Sequence, residues 1–422
     1  MSNDARERAL WKARLTEWID GLEGVVTRPV RKLIGEATFG ILASGSLQQS
    51  SIARSLQEPQ RLHHTQKRLS RMLARHSEVS WAAESLQLEH MARQVTEDMV
   101  IGVDPGDLNR DGAPSSEYRG WVRDGDRGEI VGGYPLMSVV ARDAHGRRTL
   151  PLLTRVQASQ RPGHRSENTE LLGVMEQVRR VLSVDALWVI DRGGDRGRLW
   201  ARWLADDWPV CVRAANQRYW LWRDSKRTAQ QIARHLPMRH TGRMRHSHVR
   251  TVRFGITTVR LPGHEAQPLS LVVVRHGKRE PLVLVSTRPV RGRRQGERLI
   301  QAYLDRWACE EGYRFTKQGF DMERVPARRF AVLQNLVALA SLAWALLAAD
   351  TSRAEALVEH ARRQKPRRRP RFLFYTLLEG FQRLFAPARR IFYHWWRRPR
   401  PSPTPPIDDL FASTTTLMPT QP

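Results

Sequence analysis

Four polar residues in the segment YLDRWACEEGYRFTK, namely Tyr303, Arg306, Glu310 and Lys317, are offset by 0, 3, 7 and 14 positions. On one continuous helix they fall at about 0°, −60°, −20° and −40°, a single narrow stripe. Glu311 falls about 100° from Glu310, so Glu310 is the carboxylate expected to face a sheet with that stripe. A solvated face with local ion pairs is the competing use of such a pattern. Two further acids follow short apolar runs, Asp104 after VIGV and Asp191 after LWVI. Sites in open α/β sheets are built at the carboxyl ends of strands. Asp107, Asp111 and Asp195 stand in Pro/Gly-rich turns or at a helix start, where Asp commonly serves the backbone, and are the alternatives. Three converging carboxylates repel one another unless protonated or filled by cations. Oxygen donors select Mg²⁺, with Mn²⁺ able to substitute. Two such ions about 3.5 to 4 Å apart can activate a nucleophilic oxygen while stabilising the leaving one. That is the chemistry of phosphodiester cleavage and transfer.

The overall charge agrees. Seventy Lys and Arg against 43 Asp and Glu give +27 over 422 residues, beyond what solubility needs and suited to a polyanion such as DNA. Hydrophobic residues make up 41%, too many for a disordered basic tail, so most of the chain folds and carries its charge outside. Cys211 and Cys309 are the only cysteines, which excludes a disulfide framework and a cysteine zinc cluster and fits a reducing cytosol. The charged start MSNDARERALWKARL has no apolar stretch behind it, so no secretory signal is expected. Phe330 to Ala349 is apolar but interrupted by Gln334, Asn335 and Ser341, which predicts a buried core helix rather than a membrane span.

The elements that position these residues follow from periodicity. Residues 9 to 95 read as helices, with SLQQSSIARSLQ and TQKRLSRMLAR as a helix-turn-helix-like unit. The second stretch carries Arg61, Lys67, Arg68, Arg71 and Arg75, which suit a groove or phosphate contact or an ordinary basic helix face. From Met99 the pattern is strand, hairpin around DAHG, helix SENTELLGVMEQVRRVL, strand, helix capped by Asp195, strand. Strands on either side of a crossover helix must run parallel. A β-rich inserted subdomain over 217–290 comes next, then one long helix from Glu297 to Gln318 and the apolar helix. The expected organisation is a helical DNA-binding region over 1–95 and an α/β core over 96–216 and 291–350. The insertion interrupts that core, and a basic region over 351–422 ends in a disordered tail.

Other candidates are Trp220 and Trp222, two apart in a strand and so on one face, available for base stacking or for packing under the insertion. His240, His246 and His248 lack compact zinc spacing and sit among arginines, which favours a phosphate-contacting loop. The glycines of DRGG let the backbone turn beside Asp191.

Together these residues resemble bacterial insertion-sequence transposases of the DDE class, in the insertion-sequence family 4 type branch with a Tyr-Arg-Glu-Lys signature. Tyr303, Arg306, Glu310 and Lys317 have the signature spacing, and VIGVDPGD with Asp104 and WVIDRGGD with Asp191 extend the resemblance over about residues 99 to 350. It implies an α/β fold: a ribonuclease H-like catalytic core interrupted by the β-rich insertion, with the α-helical N-terminal region binding DNA. It also implies that Asp104, Asp191 and Glu310 are catalytic and bind two Mg²⁺ ions. By the same resemblance Arg306 and Lys317 hold phosphates near the scissile bond and Tyr303 bonds the flanking backbone. The implied partners are double-stranded DNA, as terminal inverted repeats and target, and a second copy in a homodimeric synaptic complex in the bacterial cytoplasm at the nucleoid. Some relatives carry, late in the insertion, a Trp that stacks on a flipped base and supports a hairpin route. Here that stretch reads LVLVSTRPV, without Trp. A catalytically silent or domesticated DNA-binding regulator, or a nuclease without strand transfer, is the alternative. Neither regulation nor binding alone requires three acids in a surface built to attract phosphate.

Overall fold

Five helices open the chain, α1 (Asn3–Asp20), α2 (Arg28–Ser44), α3 (Gln49–Leu56), α4 (Leu62–Arg75) and α5 (Glu78–Ala92), in a computed structural model describing residues 3–386 except 126, 145, 147, 246–248, 278–279, 350–353 and 363–371. KPRRRPR, most of APARR, WWRRPRPSPTPP and the last 20 or so residues, where disorder is expected, lie outside the described residues. Helix α2 shows why these segments fold as they do. Pro29 sits in its first turn, where no N–H is needed. Val30, Leu33, Ile34, Ala37 and Ile41 form its buried face, and Gly45 ends it by donating its N–H to the Ile41 carbonyl at 2.8 Å. Helices α3 and α4 are joined through residues 57–61, and α4 turns Thr65, Leu69 and Leu73 inward at i, i+4 spacing.

The described residues divide into two compact units. The first takes those up to Glu97, then Val103–Val184 and those from Ala308 onward; the second takes Asp98–Gly102 and Asp185–Trp307. This differs from the division read from sequence, because α1 to α5 share a unit with the strands and helices that follow.

In the first unit β1 (Val100–Asn109), β2 (Gly120–Arg123), β3 (Ile130–Arg142) and β4 (Thr149–Val156) precede α6 (Glu167–Val181). The first residues of β1 are assigned to the second unit. Strand β3 pairs antiparallel with β2 through Ile130–Gly133 and with β4 through Leu136–Arg142, the hairpin expected around DAHG; β1 is its other neighbour. Strand β1 does not stop at Asp104, as its turn-like continuation DPGD predicts, but runs on to Asn109. Pairing with β3 overrides the local turn preference of Pro105 and Gly106, so Asp104 lies inside a strand. Helix α6 is capped by the Ser166 hydroxyl, which accepts the Thr169 N–H at 3.2 Å.

In the second unit β5 (Leu187–Ile190), α7 (Gly197–Ala205) and β6 (Val210–Arg213) form the predicted crossover, with β5 and β6 parallel and Trp188 opposite Val210. The insertion supplies β7 (Tyr219–Trp222), β8 (Ser225–Thr228), α8 (Ala229–His235), β9 (His240–Arg245), β10 (Val249–Leu261), β11 (His264–Arg275) and β12 (Leu282–Ser286). It is not a separate layer. Strand β12 pairs antiparallel with β6, β11 with β12 and β10 with β11, so the insertion widens the core sheet. Helix α9 (Arg293–Asp305) packs Leu299, Ile300 and Tyr303 onto Phe254, Val272 and Leu284.

The chain then returns to the first unit as α10 (Trp307–Gly319), α11 (Phe330–Ala348), α12 (Ala354–Arg362) and α13 (Leu373–Phe385). The single helix expected over 297–318 is two, broken at Arg306. That residue keeps helical backbone angles (φ −52, ψ −27), so side-chain periodicity carries no sign of the break. Helix α11 is long and apolar enough to cross a membrane, yet 89% of its apolar window is buried inside the protein. Its Asn335 accepts the Ser80 N–H at 2.9 Å and donates to the carbonyls of Leu73 and His76 at 2.8 and 2.9 Å, fastening the α4–α5 junction.

Helix α10 approaches α11 where Gly312 faces Trp344; a Cβ at that position would lie 2.2 Å from the indole ring, which is fully buried and has nowhere to turn. Gly312→Ala gains about 1 kcal/mol of helix propensity but overpacks the contact. The expected net result is a loss of about 1 to 3 kcal/mol in urea unfolding. Unchanged or raised stability would show that α10 has room to retreat.

Candidate active site

The first unit holds Asp104, Glu310 and Lys317; the second holds Asp191, Tyr303 and Arg306. The four-residue stripe is therefore shared between α9 and α10.

On β1, Asp104 is 8% exposed. Tyr313 of α10 reaches this strand. Its hydroxyl lies 2.6 Å from the Asp104 carbonyl and 2.8 Å from that of Leu136, donating to one at a time. The ring occupies the space above Gly106, where a Cβ would come within 2.8 Å of it. Burial first, then the charges of Asp104 and Asp107, hold this phenol well above its ordinary range, so it stays protonated as a donor. Glu310 precedes Tyr313 by three residues and so shares its side of the helix. Glu310 is half-buried. Glu311, expected to point away, is more buried at 8% exposed and pairs with Arg314 at 3.0 Å.

Lys317, expected on DNA phosphates, is engaged within the protein by Asp107 at 3.0 Å and Glu323 at 3.1 Å. Burial works against its charge, but Glu323 and Asp107 outweigh it and hold the ammonium above its usual range. Asp107 also accepts the Gly125 N–H at 3.2 Å, so its carboxylate is committed. Asp111 pairs with Arg119 at 3.1 Å.

In the second unit Asp191 ends β5 as predicted, and its Oδ1 accepts the Gly193 N–H of the DRGG loop at 2.9 Å. Tyr303 and Arg306 are 3% and 5% exposed, with the guanidinium 5.7 Å from the Tyr303 ring centre. These two, expected on the DNA backbone, are instead packed inside. Burial raises the Tyr303 hydroxyl above its ordinary range, Arg306 and Arg213 pull it back, Asp191 raises it, and Arg213 also hydrogen-bonds it. Asp195 does not cap α7. It is held by Trp200 Nε1 at 2.8 Å, the Ala215 N–H at 2.7 Å and Arg218 at 2.9 Å, a structural carboxylate.

The remaining candidates divide by burial. Lys67 and Arg71 are exposed on α4, whereas Arg68 bridges Glu36 and Glu58, both at 2.7 Å, and so fixes α4 to its neighbours. Trp220 and Trp222 share one face but are 0% and 7% exposed. Trp220 packs edge-on against Trp200, and Trp222 Nε1 donates to Thr257 at 3.0 Å. Packing, not base stacking, is their role here. His240 lies against Phe254, and His246 and His248 fall outside the described residues.

Sequence reasoning missed Tyr313 and Arg213. The first reads as one more core aromatic. The second could have been found, because it ends the strand parallel to the one that Asp191 follows. Among the described residues no group of three or more His, Cys, Asp or Glu gathers to hold a metal ion. In donor chemistry Asp104, Asp191 and Glu310 suit a hard divalent ion, and neither Asp107 nor Asp195 is available to replace them.

Among solved structures the chain is similar to the cryo-EM structure of piggyBac transposase in a synaptic complex with hairpin DNA. The two are 10% identical with a TM-score of 0.43, over 89% of this chain and 77% of that one. So loose a likeness carries nothing further. No curated protein matches the chain. Residues 139–346 match the family model of the transposase DDE domain, a stretch that takes in Asp191, Tyr303, Arg306, Glu310 and Lys317 and begins after Asp104.

Proposed function

We propose that the protein is a cut-and-paste DNA transposase that cleaves and joins phosphodiester bonds at the terminal inverted repeats of an insertion sequence. In this reading the core is ribonuclease H-like, the chain belongs to the Tyr-Arg-Glu-Lys branch, and a homodimer brings two element ends together in the bacterial cytoplasm. Asp104, Asp191 and Glu310 would hold two Mg²⁺ ions. When bound, such ions supply positive charge to the scissile phosphate and lower the pKa of the attacking hydroxyl.

The observation that carries the proposal is the Tyr313 contact, which fixes the helix bearing Glu310 onto the strand bearing Asp104 within one unit. The protein's own part is to hold those carboxylates in place, a positioning effect that is a large share of phosphoryl-transfer catalysis. Asp107 and Lys317 serve that rigidity. In the second unit Asp191, Arg213 and Arg306 all lie close enough to act on the buried Tyr303 hydroxyl. The exposed Lys67 and Arg71 on α4 are free to meet DNA phosphates as the N-terminal region binds.

The test is divalent-ion-dependent cleavage of element-end DNA by purified protein, followed by strand transfer into a plasmid. Asp104→Ala, Asp191→Ala and Glu310→Gln should each lower cleavage at least about a hundredfold with DNA affinity retained; three variants that cut like wild type would sink the assignment. Cutting without joined products would leave a nuclease, and tight binding without cutting under any metal would leave a regulator. Lys317→Ala should cost about 3 kcal/mol of stability by stranding Asp107. Because the folded pKa of Lys317 is raised, its contribution is full below the unfolded value of about 10.4 and is lost only as pH rises through the folded value. A variant as stable as wild type at neutral pH but defective in DNA binding would return Lys317 to a phosphate-contacting role.

A further inference from the structure

Between Asp224 and Glu265 forty residues pass without an Asp or Glu while nine Lys and Arg occur. At the chain's overall frequency about four acids would stand there. The segment folds as β8, α8, β9 and β10 of the second unit. On the two paired strands Arg243, Arg245 and Arg253 are exposed and alternate with buried Met244, Val252 and Phe254, which pack toward α9. The register sets Arg243 opposite Thr251, Arg245 opposite Val249 and Arg253 opposite Thr241, so the three guanidiniums rise from one face with hydroxyls between them. None of the three pairs with an acid among the described residues.

The same face continues cationic at its inner side. Arg253 lies opposite exposed Arg275, which donates to the Ala233 carbonyl of α8 at 2.8 Å, and α8 itself presents exposed Arg234. The edge is held rigid. The Gln301 side chain of α9 accepts the Arg245 N–H at 2.9 Å and donates to the Arg245 carbonyl at 2.8 Å, two residues before Tyr303. Along β9 alternate residues stand about 7 Å apart, and diagonal cross-strand neighbours about 7 to 8 Å. The row from Thr241 to Arg245 thus spans about 13 Å, opposite about four phosphates of one DNA strand.

We propose that the outward face of β9 and β10 is a contact surface for the phosphate backbone of duplex DNA. Like charges this close, with no acid to offset them, are relieved by a polyanion, and guanidiniums with threonine hydroxyls donate to phosphate oxygens without reading bases. The surface rests on the reading of DNA as substrate, and it assigns the job of holding DNA to residues outside the four-residue signature.

Full-length wild type, Arg243→Gln/Arg245→Gln/Arg253→Gln, the corresponding triple Lys variant, and a control with Arg93→Gln, Arg127→Gln and Arg180→Gln are compared. The control's arginine side chains are 70%, 66% and 79% exposed and lie on other elements. Each protein is titrated with a 30-base-pair duplex between about 50 and 200 mM salt, and its fold is checked by circular dichroism. At about 0.9 counterions per contact, losing three contacts makes the salt-induced fall in affinity about 40-fold smaller. The ribbon variant should show that change, and the Lys variant and the control should not. Equal effects in ribbon and control variants overturn the proposal in favour of diffuse charge. Plasmid cleavage separates the two readings: wild type that never cuts but shows the ribbon effect fails as a transposase while the surface stands. A cutting enzyme indifferent to the ribbon fails only the surface.

Discussion

A tyrosine hydroxyl buried among backbone carbonyls fixes how α10 sits on β1 within the first unit. Tyr313 can sit there only because Gly106 leaves room for the ring and because its proton has carbonyls to meet at Asp104 and Leu136. A buried hydroxyl without such a partner would cost about 1 to 3 kcal/mol, so α10 has one favourable register on β1. A second attachment one helical turn on, Lys317 to Asp107, makes rotation of the helix about the first costly. Both contacts fix the helix that carries Glu310.

The cations separate into two populations. Arg68, Arg306, Arg213 and Lys317 are turned inward, where each offsets a carboxylate or a buried hydroxyl. The excess that makes the chain so basic is spread over surfaces such as the β9–β10 ribbon. Inward cations hold carboxylates in place and outward ones attract phosphate, so substitutions in the two groups should be read through different quantities, stability for the first and salt dependence for the second.

Much of this was legible in the sequence. The hairpin β3–β4, the parallel pair β5 and β6, Asp191 at a strand end and the burial of α11 all follow from apolar periodicity and turn residues, which act locally. What failed to show depends on contacts distant in sequence. Strand β1 passes through DPGD because β3 supplies partners there. The α9–α10 break leaves helical angles at Arg306 and so leaves the pattern intact. Strand alternation put Trp220 and Trp222 on one face, but only packing decides that this face is the buried one. Signature spacing likewise found Tyr303, Arg306 and Lys317 without revealing that each is engaged within the protein.

The central claim is that Asp104 and Glu310 act as one metal-binding pair. Calorimetric titration of Mn²⁺ into the protein bound to element-end DNA tests it without requiring turnover. Asp104→Asn and Glu310→Gln should each weaken Mn²⁺ binding at least about tenfold, about 1.4 kcal/mol, and the double variant should be little worse than either alone. Mn²⁺ affinity unchanged in both single variants would contradict the account.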